Sequence, residues 1–319
     1  MTRTALRHIV VPVTITVVLV AWLFARVSPR QLVAAASELD WVPLAIATVV
    51  MVILLYLWDS ACLTTVYSIH HNRWSFRESL RLRGLSYLLG CVNYEFGQAA
   101  LAWELARLQK TGVVRMLSRS VLLAYHDIFV LLSASLIGSL LTDDPRMTRL
   151  RPFLAIALLV AVGIALAFKL LPQGIRERFR RKDSESFLEG WSIGRSLRLL
   201  GLRCVYFGFQ VIYAATALQI CKLPIDFRVT TSAIPLVLLA NGLPSFAGIG
   251  THETSMQLLL APGREQAPVL LAMSLFWTTG LVICRMVIAL ANLWIGKIDA
   301  GPSIAFAAAN DAAAPKPTE

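Results

Sequence analysis

Six long apolar runs, near 9–25, 42–67, 117–141, 152–171, 200–221 and 268–293, constrain this chain more than any other feature. A helix needs about 20 apolar residues to cross a hydrocarbon core of roughly 30 Å, and each run supplies close to that length or more. Lipid offers no hydrogen-bond partners, so a backbone at that depth must be helical or belong to a closed barrel. These runs are continuous rather than alternating, which selects helices. Of 319 residues 57% are hydrophobic and only 15% charged, too few polar groups to cover a soluble domain of that size. The expected fold class is an all-α polytopic membrane protein. Its membrane domain covers 1–298, and residues 299–319, dominated by Ala and Pro, read as a disordered tail. The first run, Ile9 to Ala25, exceeds a signal-peptide core and lacks a clear cleavage site, so it reads as an uncleaved first span.

The net charge is +11, and the basic residues fall in short connectors. Arg73, Arg77, Arg81 and Arg83 lie in 70–83; Arg107, Lys110, Arg115 and Arg119 in 107–119; Arg176, Arg178, Arg180, Arg181, Lys182, Arg195 and Arg198 in 172–198. No basic patch sits on a soluble module, so nucleic acid is not an expected partner. Such connectors orient a chain with their positive charge on the cytoplasmic side. Three basic connectors cannot all be cytoplasmic if segment 84–106, which lies between two of them, crosses the membrane. They can if it enters and returns, and the same counting lets 231–260 enter and return from the other face. The expectation is therefore six full spans and two re-entrant broken helices, with both termini cytoplasmic. The halves, roughly 1–145 and 146–298, form an inverted repeat in which the broken helices build a site near the midplane. The two broken segments echo each other weakly, with Asn93, Phe96–Gly97 and Glu104 in one and Asn241, Phe246, Gly248 and Glu253 in the other. The rival is eight plain spans with one violation of the charge rule.

The stretch Asn241 to Glu253, NGLPSFAGIGTHE, carries the densest chemical signal. Pro244 interrupts a helix by removing a donor, and Gly248 and Gly250 allow backbone conformations closed to other residues. Thr251 is expected to cap a new helix with His252 and Glu253 in its first turn, leaving free amides suited to phosphate or carboxylate. Glu253 has two readings. It can serve only to complement the helix dipole, worth about 0.3–1 kcal/mol. A carboxylate in the bilayer costs about 2.5–3.5 kcal/mol on insertion scales, and that imbalance favours a functional role. In span 117–141, Ser120, Ala124, Asp127, Leu131, Ser135 and Gly138 recur at helical spacing as a small, polar packing stripe. Asp127 within it needs a partner, for which Arg285 in the last span is the basic candidate; Arg285 is equally placed to pair with Glu253. His126 reads as a bystander. In the first broken segment Asn93, Glu95 and Gln98 cannot share one helical face with the apolar positions. Glu104 and Asp59 read as interfacial. The five cysteines form no CxxC pair and read as small buried hydrophobes. His252–Glu253 lacks the second histidine of a zinc-peptidase motif, and no phosphate loop, nucleophile elbow or metal-spaced cluster is present. The sequence therefore implies neither an enzyme nor a cofactor.

Pro244, Gly248, Gly250 and Glu253 match a Pro-x-x-x-Gly-x-Gly-x-x-Glu pattern, and Asp127 in SVLLAYHD, with Arg119 before it, supplies a second match. In these features the chain, from about residue 5 to 297, resembles the membrane domain of lysylphosphatidylglycerol synthases and their stand-alone flippase-like relatives. It departs from that pattern in the first broken segment, where only Asn93 and Gly97 correspond. The resemblance implies a bacterial plasma-membrane protein that moves lipids with large polar heads between leaflets. Its partners would be a membrane phospholipid or polyprenyl-linked lipid and a membrane-bound lipid-modifying enzyme. The aminoacyl-transferring domain of the bifunctional synthases is not expected here, so synthesis of lysyl-lipid is not implied. Two other classes stay open: a proton-coupled carrier of a soluble solute, and a non-catalytic membrane partner of a glycosyltransferase.

Overall fold

The computed structural model describes residues 3–67, 75–90, 94–109, 112–170, 192–242, 250–261, 263 and 265–299. Among them every regular element is an α-helix: α1 (Arg3–Arg26), α2 (Pro29–Ser37), α3 (Trp41–Tyr67), α4 (Phe76–Gly90), α5 (Tyr94–Gln109), α6 (Val113–Leu140), α7 (Pro145–Leu170), α8 (Ile193–Ile220), α9 (Phe227–Ala240), α10 (Thr251–Leu260) and α11 (Ala267–Asp299). Five of these, α3, α6, α7, α8 and α11, are long and apolar enough to cross a membrane. The pair α1–α2, bent by 77°, makes a sixth candidate span. The chain is a polytopic helical membrane protein. The bend lies where Ser28 caps α2, its hydroxyl taking the Gln31 N–H while the Gln31 side chain takes the Ser28 N–H. Pro29 at the first helical position fixes the restart.

The two segments expected to be interrupted are the pairs α4–α5 and α9–α10. At about 1.5 Å per residue none of these four helices reaches the roughly 30 Å of a hydrocarbon core alone. Each pair doubles back. A Cβ placed on Gly97 of α5 would lie 2.8 Å from the Gly90 Cα and 3.1 Å from the Ser86 carbonyl oxygen of α4. In a continuous helix residues 86 and 97 would be about 16 Å apart. In the second pair the Asn241 side chain, at the end of α9, reaches His252 in the first turn of α10, with Nδ2 and Nδ1 3.3 Å apart.

Packing relates the halves by a pseudo-twofold exchange. The first unit is α1–α2, α3, hairpin α4–α5 and α6; the second is α7, α8, hairpin α9–α10 and α11. Each hairpin's first helix docks on the last span of the other unit, α4 on α11 and α9 on α6. The opening elements follow the same exchange, α2 against α11 and α7 against α6. At the centre the equivalent helices α3 and α8 pack on each other. Thr48 meets Tyr213 (Oγ1–Oη 2.8 Å), and Trp58 Nε1 donates to the Leu202 carbonyl at 2.8 Å, so partner numbers fall along α8 as they rise along α3. Equivalent helices running antiparallel define an inverted repeat, as an odd number of crossings per unit requires.

Small residues permit these crossings. A Cβ on Gly138 of α6 would lie 2.8 Å from the Ser232 Cα of α9, so the small-residue stripe of α6 is a packing seam. The connector after α6 is pinned by Arg151, which donates to the carbonyls of Ser139 and Thr142 at 2.6–2.9 Å and satisfies the end of that helix. Beside it Arg146 donates to both oxygens of Asp144, holding that carboxyl below its usual range. The stabilisation from this pair is present at neutral pH and is lost as pH falls through the lowered value. Helix α7 leaves Phe153, Ile156, Leu159 and Val160 exposed, as a lipid-facing span does.

Gly138→Ala should destabilise the protein by about 1–3 kcal/mol, because the neighbour is backbone and cannot yield. Gly201→Ala in α8, where a Cβ meets nothing within 4 Å, should be neutral or slightly stabilising. Thermal unfolding of the two variants in one detergent checks the contrast.

Candidate functional site

Inverted packing brings charged side chains from four helices into one layer. Asp59 of α3 is fully buried. Its Oδ1 accepts from Arg203 Nη1 of α8 at 2.9 Å, and its Oδ2 is ion-paired with Arg83 Nε of α4. Arg203 also pairs through Nε, at 2.9 Å, with Oδ1 of Asp127 on α6. The result is a chain Arg83–Asp59–Arg203–Asp127. Arg203 is only 2% exposed and Asp59 0%, while the Asp127 side chain retains 18% exposure, so the chain opens at its Asp127 end. Aromatic rings line it: Arg203 lies 5.0 Å from the Tyr206 centroid, and Arg83 and Arg285 each lie 5.2 Å from the Tyr87 centroid.

This arrangement corrects two expectations. Asp59 is not interfacial but the most enclosed charge of the layer. Asp127 is paired with Arg203, not with Arg285. Arg203 precedes Tyr206–Phe207 in a span where a single arginine carries no local signal, and its role emerges only when α3 and α8 pack antiparallel. Glu104, by contrast, is partly exposed and paired with the exposed Arg107. His126 is buried, its Nδ1 2.8 Å from the Leu122 carbonyl of its own helix.

The second hairpin forms a separate polar centre. Gly250 has φ +90°, a conformation that strains any side chain, and a Cβ there would also meet Leu19 of α1 at 3.1 Å. Gly250, rather than Thr251, is the N-cap of α10. Glu253 at the third helical position turns back so that Oε2 accepts the Gly250 N–H at 2.7 Å, while Oε1 accepts from Thr278 Oγ1 of α11 at 2.7 Å. The carboxylate is fully buried and, among the described residues, pairs with no arginine, Arg285 included. It completes a helix terminus and ties that terminus to the last span, which weakens its case as a head-group ligand. His252 stacks edge-on against Trp277, with centroids 4.8 Å apart. Its Nε2, the Asn241 Oδ1 and the Thr254 Oγ1 are buried without a hydrogen-bond partner among the described residues. Asn93, Pro244 and Gly248 lie outside the described residues, as does the side chain of Glu95. No group of metal-ligating side chains occurs among the described residues.

No family model matches the chain, and no curated protein or solved structure matches it either.

Asp59→Asn leaves two buried guanidinium groups without their shared counter-charge, which should cost about 3–5 kcal/mol. Glu104→Gln, in a partly exposed pair, should stay within about 1 kcal/mol of the native protein. Glu253→Ala removes both acceptors at the α10 terminus and should cost about 1–3 kcal/mol, with Glu253→Gln closer to the native value. Melting temperatures of the purified variants test all three expectations.

Proposed function

We propose that this chain is a lipid flippase or lipid-binding transport protein of the bacterial plasma membrane, acting on a lipid with a polar or charged head group. The observation that carries the reading is the ion-pair chain buried where the two inverted units meet. Charges inside a membrane domain are costly and face a substrate path, a proton relay or one another. A pair of hairpins, each held by the opposite unit, is the architecture in which such a layer can be presented to alternate faces. Resemblance to the flippase-like membrane domains, through Pro244, Gly248, Gly250, Glu253 and Asp127, points the same way. In the proposed orientation both termini and the three basic connectors face the cytoplasm. Their arginines and lysines gather anionic lipid, each contributing about 1 kcal/mol near the surface.

A proton-coupled carrier is the second reading, favoured by one feature. Asp127 is the partly exposed end of the chain, where a proton can reach a carboxylate whose partner is a buried arginine. The two readings separate in sealed proteoliposomes. A flippase moves a labelled phospholipid between leaflets, and Asp127→Asn lowers that rate by about tenfold, the equivalent of losing one charge-assisted contact. If labelled lipid stays in its leaflet while a pH gradient drives uptake of a soluble solute, the carrier reading replaces it.

A further inference from the structure

Asp59 and Asp127 differ in what can reach them. Asp59 has no exposed surface, whereas the Asp127 side chain keeps 18% of its own. Asp127 shares its helix face with the buried Ser120 and Leu131, while the exposed Val121 and Ile128 lie elsewhere around α6. Its opening is therefore toward the interior of the bundle, and a proton entering the layer from water meets Asp127 before Asp59. Arg203 divides its guanidinium between the two carboxylates. Nη1 donates to Asp59 at 2.9 Å, and Nε pairs with Asp127 at 2.9 Å. A proton added to Asp127 makes it a neutral acid and ends the second pairing. Arg203 still holds Asp59, so the buried cation is not stranded. A proton on Asp59 would instead weaken its pairings with Arg83 and Arg203 together.

The tie at stake joins two parts of the fold. Helix α6 packs most extensively on α9, with Gly138 against Ser232, while α3, α4 and α8 are held together through Asp59. We propose that Asp127 is a proton-binding site whose occupancy cuts the link between α6 and α8. Binding releases α6, with the hairpin α9–α10 docked on it, from the core around Asp59. The proton comes from water and returns to it. The neutral contact between Tyr67 Oη and Ser120 Oγ, 3.2 Å long, survives protonation of Asp127 and is the pivot. The charged groups acting on Asp127 are Arg203 of α8, Asp59 of α3 and Arg83 of α4, and the Cys62 thiol of α3 is within electrostatic range. Residues 152–168 of α7 and 229–240 of α9 carry no charge. Helix α5 brings Glu104, paired with Arg107, and Glu95, whose side chain lies outside the described residues. On α6 itself His126 is the titratable neighbour, and Arg119 lies about two turns away. The inference goes beyond the choice of cargo, because it concerns what moves the helices and holds for a lipid or a soluble solute.

The experiment uses the full chain in lipid nanodiscs and needs no cargo. Infrared difference spectra between about pH 4 and pH 8 read the carbonyl band of a carboxyl protonated away from bulk water. The band should grow as pH falls, and it should shift when the protein carries isotope-labelled aspartate. It should vanish in Asp127→Asn and persist in Glu95→Gln and His126→Gln. At the upper end of that range, hydrogen exchange in α6 and α9 should be about tenfold faster in Asp127→Asn than in wild type, the loss of one charge-assisted contact. Exchange in α3 and α8 should match. Asp127→Glu should keep the band but free it of its response to the aspartate label, and this variant decides the matter where Asp127→Asn does not fold. A band that survives in Asp127→Asn, or that still follows the aspartate label in Asp127→Glu, overturns the inference. So does equal exchange of α6 and α9 in wild type and Asp127→Asn. Lipid movement in proteoliposomes is measured alongside. If the band behaves as expected and wild type moves no lipid, the proton site stands and the lipid reading fails. If lipid moves and no such band appears, the proton site fails and the lipid reading stands.

Discussion

A carboxylate with no exposed surface, shared between two arginines, organises the interior of this protein. Asp59 draws Arg83 from a hairpin and Arg203 from the antiparallel span, and Arg203 hands the contact on to Asp127. In a low-dielectric interior each of these charges is tolerable only while the others are in place. The first unit's α3, α4 and α6 are thereby locked to α8 of the second by charge as well as by apolar packing. The same requirement gives the layer its polarity. Its enclosed part is centred on Asp59 and its open end is Asp127.

The surrounding fold meets a second requirement of lipid, that irregular backbone be covered by protein. The α10 terminus shows how. The turn into α10 ends at Gly250, in a conformation only glycine adopts freely, and α1 closes over it through Leu19. Glu253 takes the Gly250 N–H and simultaneously binds Thr278, so a helix end that would be expensive in hydrocarbon is anchored to a full span. The acidic residue most conspicuous in the sequence thus has enough structural work to account for its burial. The residues that share charge across the repeats were quieter in the sequence and carry more of the functional argument.

How much could be read in advance follows from which interactions are local. Apolar run length, proline, glycine and the distribution of arginine are properties of short stretches, and each maps onto helix, break or connector without knowledge of neighbours. Hence the spans and the two interrupted segments were legible. Partner choice was not. Asp127 and Arg285 were paired on type and depth alone, yet Arg203 sits closer because α6 and α8 face the same layer while Arg285 is drawn to Tyr87. Asp59 looked interfacial from its place late in a span. Only docking of α4 and α8 against that end of α3 encloses it.

By itself, then, the sequence determined that this chain is helical and crosses a membrane repeatedly, and it pointed to two interrupted segments with eight plain spans as the rival. Hydrophobic length and the cost of exposed backbone select helices. Tertiary structure decided which charges meet. An ion pair between residues 59 and 203, or 127 and 203, depends on the relative rotation and antiparallel register of helices far apart in the chain. Those are set by side-chain packing such as Gly138 against Ser232, which no local pattern encodes.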